Sequence, residues 1–107
     1  MAEIDLKPTK KVAEQAAKGL KLREKHGRGG TEVGLERARQ LSERRELTPD
    51  IVKKMRAYFA RHAVDKDAPR FGDAEQPSAG YIAWWLWGGD PGQAWVERTM
   101  KRLEKAG

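Results

Sequence analysis

Residues 80–95, GYIAWWLWGGDPGQAW, hold all four tryptophans of a 107-residue chain that is otherwise rich in charge. The stretch reads as a helix, a glycine break and the start of a second helix. Ser78 is placed to cap the first of these, which ends at Gly88-Gly89. That helix has no polar face: Ile82, Trp85 and Leu86 share one side of the wheel, and Tyr81, Trp84 and Trp87 share the other. A short helix that is apolar all round belongs at the centre of a fold, covered on both sides. Asp90 stands where an N-cap is needed for the next helix, with Pro91 at N1 and Gln93 at the capping-box position. There Trp95, Val96, Thr99, Met100 and Leu103 face inward, and Glu97, Arg98, Lys101 and Glu104 face out. A buried tryptophan removes roughly 150–250 Å² from water, an upper bound of roughly 4–6 kcal/mol. Most of this indole is therefore expected in the core. The alternative is that one face, formed by Tyr81, Trp84 and Trp87, stays partly open for a partner helix or stacked bases.

Three more helices precede this pair. The first runs from about Thr9 to His26 and stops at Gly27, with Val12, Ala13, Ala16, Ala17 and Leu20 on one arc. Lys11, Lys18, Lys21 and Lys25 fall on the other side, with Glu14 among them. The second follows GRGG (27–30), takes Thr31 as its cap and extends to about Glu46. Its inward arc is Gly34, Leu35, Ala38, Leu41 and Ser42, mostly small residues that admit a close neighbour. The third opens at LTPDI (47–51), where Thr48 caps, Pro49 fills N1 and Asp50 faces the positive helix end. It buries Ile51, Val52, Met55, Tyr58 and Phe59. The expected architecture is all-α: a compact bundle of about five short helices around a tryptophan-rich central helix. Residues 1–8 read as a tail, 9–105 as one helical domain, and 63–77 as a long surface loop within it.

Composition narrows the function. The net charge is +6, which favours a polyanionic partner such as nucleic acid. With no cysteine, disulfides and thiolate metal sites are excluded. The N-terminal MAEIDLKPTKK lacks the apolar run of a signal peptide. The longest unbroken apolar run, Tyr81–Trp87, falls far short of the roughly 20 residues that span a membrane. The two histidines, His26 and His62, have no partner at ligand spacing, and VDKDAPRFGD (64–73) lacks the glycine and glutamate of a calcium loop. Neither a metal, a cofactor nor a small-molecule substrate is expected. No Ser/His/Asp arrangement suggests catalysis either, so a non-enzymatic protein is expected.

Two basic clusters are candidates for phosphate contacts. Lys11, Lys18, Lys21, Arg23, Lys25 and Arg28 run down the first helix into the glycine loop, whose backbone N–H groups could cradle a phosphate. The loop does not carry the Gly-Lys-Ser/Thr ending of a nucleotide-binding P-loop. Lys53, Lys54, Arg56 and Arg61 lie on the outer face of the third helix. With the second helix and the short ELT connection they suggest a helix-turn-helix-like unit. That face has no Asn or Gln, so DNA binding through it is expected to be largely independent of sequence.

The stretches AAKGLKLREKHGRGGTEVGLERARQL (16–41), MRAYFARHAVDKDA (55–68) and PSAGYIAWWLWGGDPGQAW (77–95) together resemble a small domain of bacteriophage and prophage genomes. It is found free-standing or attached to head-morphogenesis proteins such as prohead proteases. The likeness spans about residues 9–105, and its most diagnostic pieces are ARH with VDK and SAGYIAWWLWGGD. It implies a phage context, in the host cytoplasm or the virion, and assigns no role to any residue. Two functions are compatible with it: a basic nucleic-acid-binding module, or a virion or head-assembly protein docking through the helix that holds Tyr81, Trp84 and Trp87 and through the small-residue face of the second helix.

Overall fold

Threonine and serine caps start four of the five α-helices in the computed structural model, which describes residues 5–68, 71–73 and 75–106. The helices are α1 (Lys10–His26), α2 (Glu32–Ser42), α3 (Pro49–His62), α4 (Ala79–Leu86) and α5 (Gly89–Ala106). Thr9, Thr31, Thr48 and Ser78 each accept, through the side-chain oxygen, the backbone N–H three residues on, at 3.0–3.3 Å. Each bond satisfies an N–H that the helix itself leaves unpaired. Gly27 closes α1 in the left-handed conformation, its N–H donating to the Arg23 carbonyl at 2.8 Å. No strand occurs among the described residues.

Helix α4 is the hub: it is the one helix packed against all four others among the described residues. Ile82 and Leu86 are completely buried in it, and Trp84 nearly so. Its closest neighbour is α1. A Cβ on Gly19 would lie 2.6 Å from the Leu86 nitrogen and 2.8 Å from the Trp85 carbonyl carbon, so only glycine lets these backbones touch. The rest of the α1 face is correspondingly small: Val12, Ala13 and Ala16. The core is completed by Ala38 and Leu41 from α2, Val52, Met55 and Phe59 from α3, and Trp95, Val96 and Met100 from α5.

Four boundaries differ from the sequence expectation, each for an identifiable reason. The described part of the expected N-terminal tail is pinned down: Leu6 is 8% exposed and Pro8 is completely buried. The Leu6 carbonyl accepts the Leu47 N–H at 3.0 Å, and the Pro8 carbonyl accepts Arg44 Nε–H at 2.9 Å. These bonds require the chain to leave α2 early. The helix ends at Ser42 rather than near Glu46, and Arg44 takes a left-handed φ of 53°. The expected surface loop at 63–77 begins as a 3-10 turn, Ala63–Asp67, that continues directly from α3. Finally, α5 begins at Gly89, and Asp90 does not serve as the expected N-cap; its carboxylate turns toward Trp84 and Lys66.

The helix-turn-helix expectation is also corrected. Helices α2 and α3 do not pack on each other. Trp87 stands between them, in contact with Gly34 and Arg37 of α2 and stacked on Tyr58 of α3 at 4.5 Å. An indole wedged into the pair removes the close crossing that such a motif needs.

Candidate nucleic-acid interface

The surface of α1 follows from its heptad-like spacing. Lys11, Lys18 and Lys25 are seven apart, and Lys21 lies on the same arc, so one stripe runs along the helix. All four side chains are exposed, as is Arg28 just beyond the helix. None of these five cations forms an ion pair among the described residues. Glu14 is spaced to pair with Lys18 across one turn, yet the Lys18 ammonium instead lies 4.3 Å from the centre of the Trp85 ring. Arg23 leaves this group: it is half-buried, and its Nε is covered without a hydrogen-bond partner.

Two of the four cations of the other expected cluster form ion pairs within the protein. Lys54 pairs with Asp50 at 3.3 Å, and Arg56 with Glu97 and Glu104 of α5 at 3.5 and 3.8 Å. Lys53 is exposed. Arg61 lines a separate cavity of about 440 Å³ with Thr31, Tyr58, His62, Asp65 and Trp87. There His62 Nδ1 and Asp65 Oδ2 are 3.0 Å apart, and the Tyr58 ring stacks on both His62 (4.6 Å) and Trp87 (4.5 Å). The Tyr58 hydroxyl is buried without a hydrogen-bond partner. Burial pushes this phenol far above the usual tyrosine range, and the charge of Asp65 adds to the shift. Helices α1 and α3 share no packing contact, so the ten expected cations divide between two surfaces.

The candidate open face of Tyr81, Trp84 and Trp87 is largely closed. Trp87 is 9% exposed beneath Tyr58 and Arg37, and Trp84 is 3% exposed, set edge-on against Phe59 at 4.9 Å. The Trp84 N–H donates to Asp90 Oδ1 at 2.8 Å. Tyr81 alone of the three stays half-open, and it is joined by Trp85, which the wheel had placed inward. The reason is Gly19: where two backbones touch there is no room for an indole, and the Trp85 ring lies beside α1 under Lys18.

What results is an aromatic groove of about 390 Å³, lined by Gln15, Lys66, Phe71, Tyr81, Trp85 and Asp90 among others. Phe71 meets Tyr81 edge-on at 5.0 Å, and Tyr81 meets Trp85 at 5.9 Å. At its far end Lys66 donates to Asp90 Oδ1 at 2.7 Å and lies 4.6 Å from the Trp84 ring centre. The Lys66 bond, helped by the Trp84 N–H and opposed by partial burial, holds the Asp90 carboxyl below its ordinary range. Sequence reading missed Lys66 and Phe71. A single phenylalanine in a segment of Pro, Asp and Gly was the one available signal for the latter; nothing local marks Lys66 as the partner of a residue 24 positions away. No helix of the described residues is long and apolar enough to cross a membrane. Compared with protein-family models, curated proteins and solved structures, the chain matches none.

Proposed function

We propose that this chain is a non-enzymatic, phage-encoded module that binds nucleic acid through its backbone, with α1 as the contact face. One observation carries the reading: Lys11, Lys18, Lys21 and Lys25 lie on one stripe, exposed and without carboxylate partners among the described residues. From Lys11 to Lys25 the stripe is about 21 Å long, enough to follow several phosphates. Cations held by the protein's own carboxylates must give up those partners to bind a phosphate; these need not. The stripe offers ammonium groups and no bidentate base-reading side chain, so contact is with phosphates and largely independent of sequence. The overall charge of +6 and the resemblance to phage domains support the same reading, under which the protein acts in the host cytoplasm or the virion. The head-assembly alternative loses two of the three residues expected on its α4 face, because Trp84 and Trp87 are covered.

Titration of labelled DNA at several salt concentrations tests this. Binding should weaken with salt, by about 0.7–0.9 log units in affinity per log unit of salt for each phosphate neutralised. The triple variant Lys18→Gln, Lys21→Gln, Lys25→Gln should flatten that slope by about 2–3. The matching triple on α3 (Lys53→Gln, Lys54→Gln, Arg56→Gln) should leave it unchanged. Absence of binding at low salt, or a slope that responds to the α3 triple instead, refutes the assignment.

A further inference from the structure

The α1 stripe passes beside the aromatic groove: Gln15 of α1 lines it, and Lys18 of the stripe lies over the ring of Trp85, which lines it too. We infer that the preferred partner is single-stranded nucleic acid, with one base inserted between Phe71, Tyr81 and Trp85 while its phosphates lie on Lys18 and the lysines beyond. This rests on the reading of α1 as a phosphate-contacting face and adds what sets the choice of strand.

The chemistry of the groove is that of a stacking site. Trp85 and Tyr81 are half-exposed in a protein whose other three tryptophans are buried. The Trp85 indole N–H has no acceptor among the described residues, which leaves this edge to water or to a ligand. The exposed Lys18 ammonium lies 4.3 Å from the centre of the Trp85 ring, so cation and aromatic surface are presented together. Single-strand binders combine these two elements: a cationic track for the backbone and an aromatic face for a base. At about 390 Å³ the groove is of the size that encloses small planar ligands. The bases of a duplex are stacked inside it and cannot enter without being flipped out, at a cost of a few kcal/mol.

Charge also orients the strand. Lys18, unpaired among the described residues, brings a cation to the Trp85 side, whereas at the far end the charge of Lys66 is already matched by Asp90, whose Oδ1 accepts from Lys66 and Trp84. The carboxylate disfavours a phosphate there and leaves Oδ2 to accept a base amino group. The backbone therefore lies toward α1 and the base edge points toward Asp90.

The test uses three probes of equal length with the whole protein: a single-stranded oligonucleotide (as DNA and as RNA), its duplex, and an abasic single strand with the same phosphates. The wild-type protein should bind the base-bearing strand about 5- to 150-fold more tightly than the abasic one, the range that one stacked base supplies. Trp85→Ala should bring the two together without changing the salt slope, and Trp85→Phe should restore most of the difference. Equal affinity of the wild type for base-bearing and abasic strands overturns the inference, and this comparison needs no variant to fold. In that case salt-dependent binding to all three probes would leave the α1 reading standing. Failure of every probe at low salt would remove both. Occupation of the groove by a peptide instead would appear as a base-independent affinity and counts against the inference.

Discussion

Trp84 and Trp85 are adjacent, chemically identical and each approached by a lysine, at 4.6 and 4.3 Å from the ring centre. Yet one is a core residue and the other a surface. Trp84 points into a space bounded by Phe59, and its N–H has Asp90 as acceptor. Trp85 emerges where Gly19 brings two backbones into contact and leaves no volume for a ring. In a helix without a polar face, then, the side that closes is set by the size of what packs against it and by where an indole N–H finds an acceptor. The largest consequence is for stability. Trp84→Ala should cost about 3–5 kcal/mol, the cavity value for a fully buried ring, and Trp85→Ala less than about 2 kcal/mol. Denaturant unfolding of both variants measures the contrast. Equal costs would mean that Trp85 is as much a core residue as Trp84.

That contrast also marks how far the sequence could be read. The caps at Thr31, Thr48 and Ser78, the stop at Gly27 and most of the inward faces of α1, α3 and α5 follow from local chemistry and are found, and Thr9, expected as the first helical residue, is the cap of α1. A cap is a bond between residues three apart, so its signal lies within one turn. The candidate site obeys different rules. The cations of α3 and α1 look alike in sequence, but Arg56 meets Glu97 and Glu104 only because α5 packs on α3. The groove needs Gly19, Phe71 and Trp85 from three distant segments. The 100° wheel cannot reveal that Trp85 is displaced, because the displacement comes from another helix. Arg37 was unmarked for the same reason: it sits on an arc that is polar in sequence, but Trp87 covers it to 7% exposure.

The closed side of α4 can be challenged through its cover, Tyr58. Its ring seals Trp87, and its hydroxyl is buried without a partner. Burial raises the folded phenol above the value near 10 of an unfolded tyrosine. Above about pH 10 the unfolded chain releases this proton first, so the folded state binds more protons and stability falls as pH rises. The Tyr58 contribution should reach at most about 1.4 kcal/mol per pH unit there, and it vanishes below pH 10. The measurable quantity is the difference in alkaline slope between the wild type and Tyr58→Phe, which isolates this phenol. At neutral pH that variant should cost little, because no hydrogen bond is lost. Identical alkaline slopes would show the phenol to be open to water, and with it the stack over Trp87.

The smallest effect on folding should come from the open side. Lys18→Gln removes one ammonium from an exposed ring face, a change of about 0.5–1 kcal/mol at most. Lys66→Gln should cost more, because it also removes the bond to Asp90, which accepts the buried Trp84 N–H. Reversal of that order would mean that Lys18 helps to hold α1 against α4. With the order as expected, Lys18→Gln separates folding from binding: unfolding should scarcely move, while the salt slope for nucleic acid loses about 0.7–0.9. A lysine that is poised for an ion pair with Glu14 and lies on an indole instead contributes little to either neighbour's stability. On the proposed reading that position lets one residue hold a phosphate beside the ring on which a base would stack.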